Sequence, residues 1–532
     1  MDQGPRSPLN LLLQPWLPVL RQGGKHEMVR PAQIAEADNL VVGLDWPRAD
    51  FRIAGLEFLI GLLATACPPE DGSTWLDWWH SPPSPATLDA ALAPFAHAFD
   101  LDGDGPRFLQ DREDLVSDPE PIERLLIESP GASTLRQNTD LLVHRGRVAR
   151  LGRPAAAMAL YTFQGWAPAG GAGNRTGLRG GGPLTTLVLP GERPTLWQTL
   201  WANVPVRPEG PPAPEEYPLV FPWLAPTVTS EGNRGVTPEQ SHPLQAWWGM
   251  PRRIRLDFAP GDQPCDLTGS RDGVQVTSWR QRPRGANYVG WGRVHPLSPY
   301  YAQKPGDAWL PVHPQPGGIG YRHWLGLVMR DREGLRLPAQ SVHQWRETRE
   351  RDVGRPGTRL LAAGYDMDNM KARGFVESEM PLPPAADKEK QENLATALIL
   401  SANQVAAVLR SAVRQALFSP GATVKLEAEL FSSLRERVWE ATEAGFFERL
   451  AAQPEDAKAS WLHELRRLAL ALFDEAAPLT PENGALAPRI SRARRGLVFA
   501  LSGFGKEGAA LFGLLGLAAA QPKAKKGRGK AA

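Results

Sequence analysis

Apolar residues along this chain change their spacing near Asp387. Before that point they come in short runs cut by glycine and proline, the pattern of strands, short helices and turns. The stretch LNLLLQPWLPV from Leu9, followed by the polar RQGGK turn with Gly23 and Gly24, predicts a short strand, a turn and a second strand. Leu56 to Cys67 is apolar on nearly every face and stops at Pro68 and Pro69, which predicts a fully buried helix. A milder amphipathic helix is expected from Pro85 to Phe99, and strands over Ala156 to Phe163 and Pro183 to Leu189. Pro205 to Pro226 is proline-dense and reads as a linker or surface excursion; Gln245 to Leu256 returns to a strand pattern.

Beyond Asp387 the spacing becomes helical. Leu394, Leu398, Ser401, Val405, Val408 and Ala412 form one stripe; Phe431, Leu434, Val438 and Ala441 a second; Leu462, Leu465, Leu468 and Leu472 a third; Ala493, Leu497, Ala500 and Phe504 a fourth. Four stripes with short connections predict an antiparallel four-helix bundle. The expected fold class is α+β: a large mixed domain with glycine-rich loops over residues 1–385, a C-terminal four-helix bundle over 386–520, and a basic, low-complexity tail over 521–532.

Composition narrows the function classes. The 532 residues are 42% hydrophobic with 18 tryptophans, enough for a sizeable core, and a formal net charge of only +2 means that any nucleic-acid binding rests on local clusters. Two cysteines, Cys67 and Cys265, make neither a disulfide framework nor a cysteine zinc site and suit a reducing cytoplasm. The N-terminal apolar patch is broken by Pro15 and Pro18 and has no basic start, so no signal peptide is expected. Gly496 to Leu517 nearly has the length to span a bilayer, but Lys506 and Glu507 sit at its middle; a buried helix hairpin or broken helix is expected there, and no membrane partner.

The candidate chemistry centres on Ala169 to Thr186, AGGAGNRTGLRGGGPLTT, where glycines let backbone approach a ligand and Arg175 and Arg179 would meet an anion. It lacks the Gly-Lys-Ser/Thr ending of a phosphate loop and the glycine spacing of a dinucleotide fingerprint, and the bland alternative is a hairpin linker with solvated arginines. Arg136, Arg145, Arg147, Arg150 and Arg153 crowd one segment, either a solvated face or a loop that orders on phosphates. Arg252, Arg253 and Arg255 cluster next, and WRQRPR from Trp279 interleaves cations with aromatics, as stacking on bases would use. Asp100, Asp102, Asp104, Gly105 and Asp111 match calcium-loop spacing, but Asp111 stands where a bidentate Glu belongs. No HExxH, CxxC pair, GxSxG or Walker pair is present.

Seven segments in chain order resemble the CasA family, the large subunit of the type I-E CRISPR surveillance complex Cascade: LNLLLQPWLPV from Leu9, RFLQD from Arg107, PGAST from Pro130, GNRTGLRGGGPLTT from Gly173, AWWGMPRRIRL from Ala246, VHPLSPY from Val294 and GYDMDNMKA from Gly364. The resemblance implies a protein that is not an enzyme and carries no cofactor. Such a subunit examines duplex DNA for the protospacer-adjacent motif through the minor groove, starts strand separation for guide pairing, and gives the helicase-nuclease of type I systems its landing site. Its partners are the other Cascade subunits, the guide CRISPR RNA and double-stranded target DNA. Carried onto this chain, the family's glycine loop falls on Gly171, Ala172 and Gly173 with Asn174 following, its basic finger on Arg284 or Arg282, and its strand-separating wedge on Asn369 with Met370. Arg136, Arg145, Arg147, Arg150, Arg175 and Arg179 would meet guide RNA or the nucleic-acid backbone. Cys265 alone cannot rebuild the cysteine zinc site of some relatives, so no structural zinc is expected. The rivals are a free-standing single-strand binder and a metal-dependent enzyme built on Asp100, Asp102 and Asp104.

Overall fold

The computed structural model describes residues 7–138, 145–171, 173–368, 371–385, 387–419 and 427–518. It is a mixed α+β protein that divides into two compact units. One runs to Ile319 and resumes over Gly326–Leu382; the other takes Gly320–Leu325 and the chain from Pro383 onward.

In the first unit β1 (Leu17–Arg21), β2 (His26–Val29) and β3 (Val41–Leu44) form an antiparallel sheet in the order β2-β1-β3. The β1–β2 turn sits at Gly23 and Gly24, both at positive φ. The first strand begins later than Leu9, because Asn10 Oδ1 accepts the N–H of Leu12 at 3.0 Å and folds that stretch into a turn. Helix α1 (Ala49–Ala66) is buried on nearly all sides, and its Phe58 meets Trp16, Phe99, Phe108, Tyr161 and Trp248 edge to face, with centroids 5.3 to 6.3 Å away. That aromatic knot is the centre of the core.

Three expectations are overturned here. Ala156 to Phe163 is no strand; it lies within α2 (Arg153–Trp166), which Pro154 opens in its first turn. The run is buried all round, so it carries no period that separates helix from strand, and its alanines favour the helix. Pro205 to Pro226 is not a surface excursion, since Val220, Phe221 and Trp223 are fully buried and the indole N–H of Trp223 donates to Ala98 O at 2.5 Å. Gln245–Trp248 is a helical turn, and the strand starts only at Arg253.

Strand β4 (Thr185–Leu189) pairs with β7 (Arg359–Asp368), which forms a long hairpin with β8 (Lys371–Pro381), all antiparallel. Between them in sequence, β5 (Arg253–Pro260) and β6 (Val274–Arg282) make a second antiparallel hairpin with a bulge at Asp257 and Phe258. The aspartate run serves the fold: Asp100 Oδ1 accepts from Asn10, Asp102 takes the N–H of Leu9 and faces Arg153, and Asp111 pairs with Arg253 at 2.5 Å. These long-range engagements occupy Asp100, Asp102 and Asp111 of the calcium-loop match.

The second unit is helical. Helix α3 (Lys388–Leu417) packs against α4 (Glu427–Ala452), α5 (Ala457–Ala476), α6 (Ala487–Leu501) and α7 (Gly505–Leu515). Gln391, Leu394, Leu398, Val405 and Ala412 on α3 are buried, so its stripe is its inner face. The Gly496 to Leu517 run is a broken helix, interrupted between α6 and α7 at Gly503. Tyr321 and Trp324 join this unit from far upstream: Tyr321 stacks on Phe446 at 4.5 Å and meets Thr442 Oγ1 through its hydroxyl at 2.7 Å, and Trp324 lies against Phe447. The expected tail at 521–532 lies outside the described residues.

Candidate nucleic-acid interface

The glycine-rich stretch has two halves with different work. In the later half a Cβ on Gly177 would stand 2.6 Å from Gly165 O, one on Gly181 would stand 2.7 Å from the Cα of Pro168, and one on Gly182 would stand 2.6 Å from Tyr365 O. These glycines let the chain lie flat against α2 and β7. In the earlier half Gly171 is open, while a Cβ on Gly173 would stand 3.2 Å from Arg284 Cγ. Gly171, at φ +67°, has nothing within 4 Å of its missing Cβ, and the N–H of Asn174 donates to Gly171 O at 2.8 Å to close a tight turn. Ala172 lies outside the described residues.

Arg284, more than a hundred positions away in sequence, meets this turn. Its backbone N–H donates to Gly173 O at 2.9 Å, its carbonyl accepts from Ser230, and it sits at φ +63°. The side chain is 62% exposed, with Nη1 3.5 Å from Glu231 Oε1. Arg282 closes β6 and is exposed. Gly285 is required next to Arg284, since a Cβ there would run into Pro251 O. Arg175 is half-buried at the same place and donates through Nε to Ser230 Oγ at 3.2 Å. The structure therefore brings Gly171, Gly173, Asn174, Arg175 and Arg284 to one patch.

Arg179 does not belong to it. It is buried, 3% exposed, and pairs with Glu57 Oε1 at 2.5 Å while donating to Thr185 and Ser298. A guanidinium so enclosed cannot reach a phosphate, which corrects its expected contact with nucleic acid. Arg179 and His295 hold the Glu57 carboxyl down to about 2 against the opposing effect of burial. Burial and the nearby Arg179 hold His295 down to about 4.

Among the remaining arginines, Arg136, Arg145 and Arg147 are exposed. Arg145 Nη2 donates to Asn138 Oδ1 at 3.0 Å, the backbone N–H groups of Gly146 and Arg147 are held by Glu123, and Arg150 Nη1 stands 3.4 Å from Asp266. The segment 139–144 lies outside the described residues. So do Asn369 and Met370, which join β7 to β8 where the ladder reaches Asp368↔Lys371. Near that end Arg373 neutralises Asp366 at 2.7 Å. The aromatics interleaved with the arginines are core: Trp279 donates to Pro121 O and Trp291 to Val236 O, and both are buried. They offer no stacking face to a single strand.

The family model of CRISPR-associated protein Cse1 matches residues 10–472. The chain belongs to the Cse1 family. The Thermus thermophilus CasA crystal structure is similar to it at a TM-score of 0.68 and 19% identity, covering 92% of this chain and 99% of that one. Thermobifida fusca Cse1 is similar at 0.66 and 17%, covering 96% and 98%. A chain of a structure described as a CRISPR RNA-guided surveillance complex is similar at 0.64 and 17%, covering 93% and 100%.

In this Cse1 family member, sequence reasoning missed Glu57 and Ser230. Glu57 had a signal: it is the lone carboxylate in the apolar run Leu56 to Cys67, and a buried carboxylate requires a cation. Ser230, which touches both Arg175 and Arg284, had none.

Proposed function

We propose that this chain is the large subunit of a type I-E CRISPR RNA-guided surveillance complex, where it reads the protospacer-adjacent motif in duplex DNA through the minor groove. The observation that carries the reading is the junction of the open glycine turn with Arg284, built from two distant parts of the chain. A turn with glycine at positions 171 and 173 fits a narrow groove, and a guanidinium beside it suits the acceptors on the floor of that groove. The β7–β8 hairpin then serves as the wedge that starts strand separation, with Asn369 and Met370 at the junction of its strands. Arg136, Arg145, Arg147, Arg150 and Arg175 contact guide RNA or the nucleic-acid backbone. We read α3, α4, α5 and α6 as the four-helix bundle of this family, following a motif-reading domain over 1–385. The subunit works in the cytoplasm, assembles with the other Cascade subunits and recruits the helicase-nuclease.

The test is reconstitution. Co-expressed with the neighbouring subunits and a guide, the chain should purify in one ribonucleoprotein complex that binds motif-bearing duplex DNA. Gly171→Val with Gly173→Val should abolish that binding while the complex still assembles, because both positions sit at positive φ, Gly171 faces open space, and a side chain on Gly173 would press on Arg284. Unchanged target binding in the assembled variant would refute the reading.

A further inference from the structure

A buried arginine ordinarily faces a carboxylate. Arg252 is buried, and among the described residues no carboxylate stands within ion-pair distance of it. Its Nη2 instead donates to Pro168 O and its Nε to Arg175 O at 3.2 Å, so one planar guanidinium holds the chain just before the glycine turn and just after it. The ring of Phe163 lies 4.6 Å from the guanidinium carbon and fixes its plane. The main chain of Arg252 is clamped as well: its N–H donates to Gln164 Oε1 at 3.1 Å, and its carbonyl accepts from Gln164 Nε2 at 2.9 Å. Gly285 packs against Pro251 and the Cα of Arg252, so the Arg284 turn rests on the same anchor.

We infer that Arg252 is a positioning residue for motif reading, tying both flanks of the glycine turn together and setting that turn against the Arg284 finger. The inference rests on the proposed duplex-reading role of the turn. Burial lowers the guanidinium to about 10, which leaves it charged at neutral pH. The site therefore places an uncompensated cation under the turn. A lysine would keep the charge but reach one carbonyl at a time, since a single ammonium lacks the fork that spans both flanks.

Arg252→Lys separates clamping from charge. Hydrogen exchange on the full-length free chain should show the 168–175 segment exchanging about tenfold faster, with the second unit unchanged. In the assembled complex, binding to motif-bearing duplex should weaken about tenfold while binding to motif-free duplex changes less than about twofold. Phe163→Leu, which removes the ring that fixes the plane, should show the same pattern in smaller measure. Unchanged exchange at 168–175 in both variants overturns the clamp, and so does equal weakening on both duplexes. If exchange rises as expected but the wild-type complex itself does not distinguish the two duplexes, the clamp stands as structure, its role in motif reading is overturned, and the proposed function fails on its own account.

Discussion

Glu57→Ala would strip the buried Arg179 guanidinium of its counter-charge and so test what holds the later half of the glycine stretch in place. Arg179 would stay enclosed and keep its bonds to Thr185 at 3.1 Å and Ser298 at 3.2 Å, but lose the carboxylate at 2.5 Å. Removing one partner of a buried ion pair costs about 3–5 kcal/mol. The two hydroxyl partners that remain, at about 1 kcal/mol each, place the expected loss near the lower end, about 3 kcal/mol. Glu57→Leu combined with Arg179→Met removes both charges at similar volume and should recover stability to within about 1 kcal/mol of the natural protein. Urea unfolding followed by tryptophan fluorescence reads both, because Trp247 lies 4.8 Å from His295 beside the pair. A loss below about 0.5 kcal/mol in the single variant, or a double variant as damaged as the single, would refute the reasoning.

Arg284→Ala should cost about 1–3 kcal/mol of target binding and relax motif choice; a uniform loss over all motifs, with a salt slope lower by about one, would make it a phosphate contact instead. Asn369→Ala with Met370→Ala should slow loop formation on duplex targets yet leave pre-opened targets nearly normal, and equal defects on both would remove the wedge assignment. The buried His295, held at about 4 against about 6.5 in the unfolded chain, contributes stability that is complete above pH 6.5 and is lost as pH falls toward 4. Melting at pH 5 should therefore reflect roughly 2 kcal/mol less stability than at pH 8, and His295→Asn should flatten that slope; an identical slope in the variant counts against it. Glu57, lowered to about 2, adds its own loss as pH falls below about 4.5, and because it faces His295 at 3.5 Å the two groups titrate together at the acid end.

The helical stripes from Leu394 onward were legible because a half-buried helix prints its period on the sequence. Segments buried on every side print none, which is why α2 passed for a strand. The glycine stretch stood out by its composition, but its link to Arg284 came through family resemblance alone; nothing local to Arg284 says that its N–H will meet Gly173. The arginines show the limit most clearly. Arg175, Arg179 and Arg252 look alike as letters, yet one is half exposed, one neutralised inside the core and one clamps a loop, because what separates them is the tertiary partner each finds.

Tyr321 and Trp324 have a consequence for synthesis. Their partners Phe446 and Phe447 are translated about 120 residues later, roughly 6–25 s at usual elongation rates. For that interval two large aromatic side chains lack the rings they finally pack against, although they belong to the later unit. A fragment ending before α4 would leave Tyr321 and Trp324 without those rings permanently, and one beginning at Pro383 would leave Phe446 without its stacked ring.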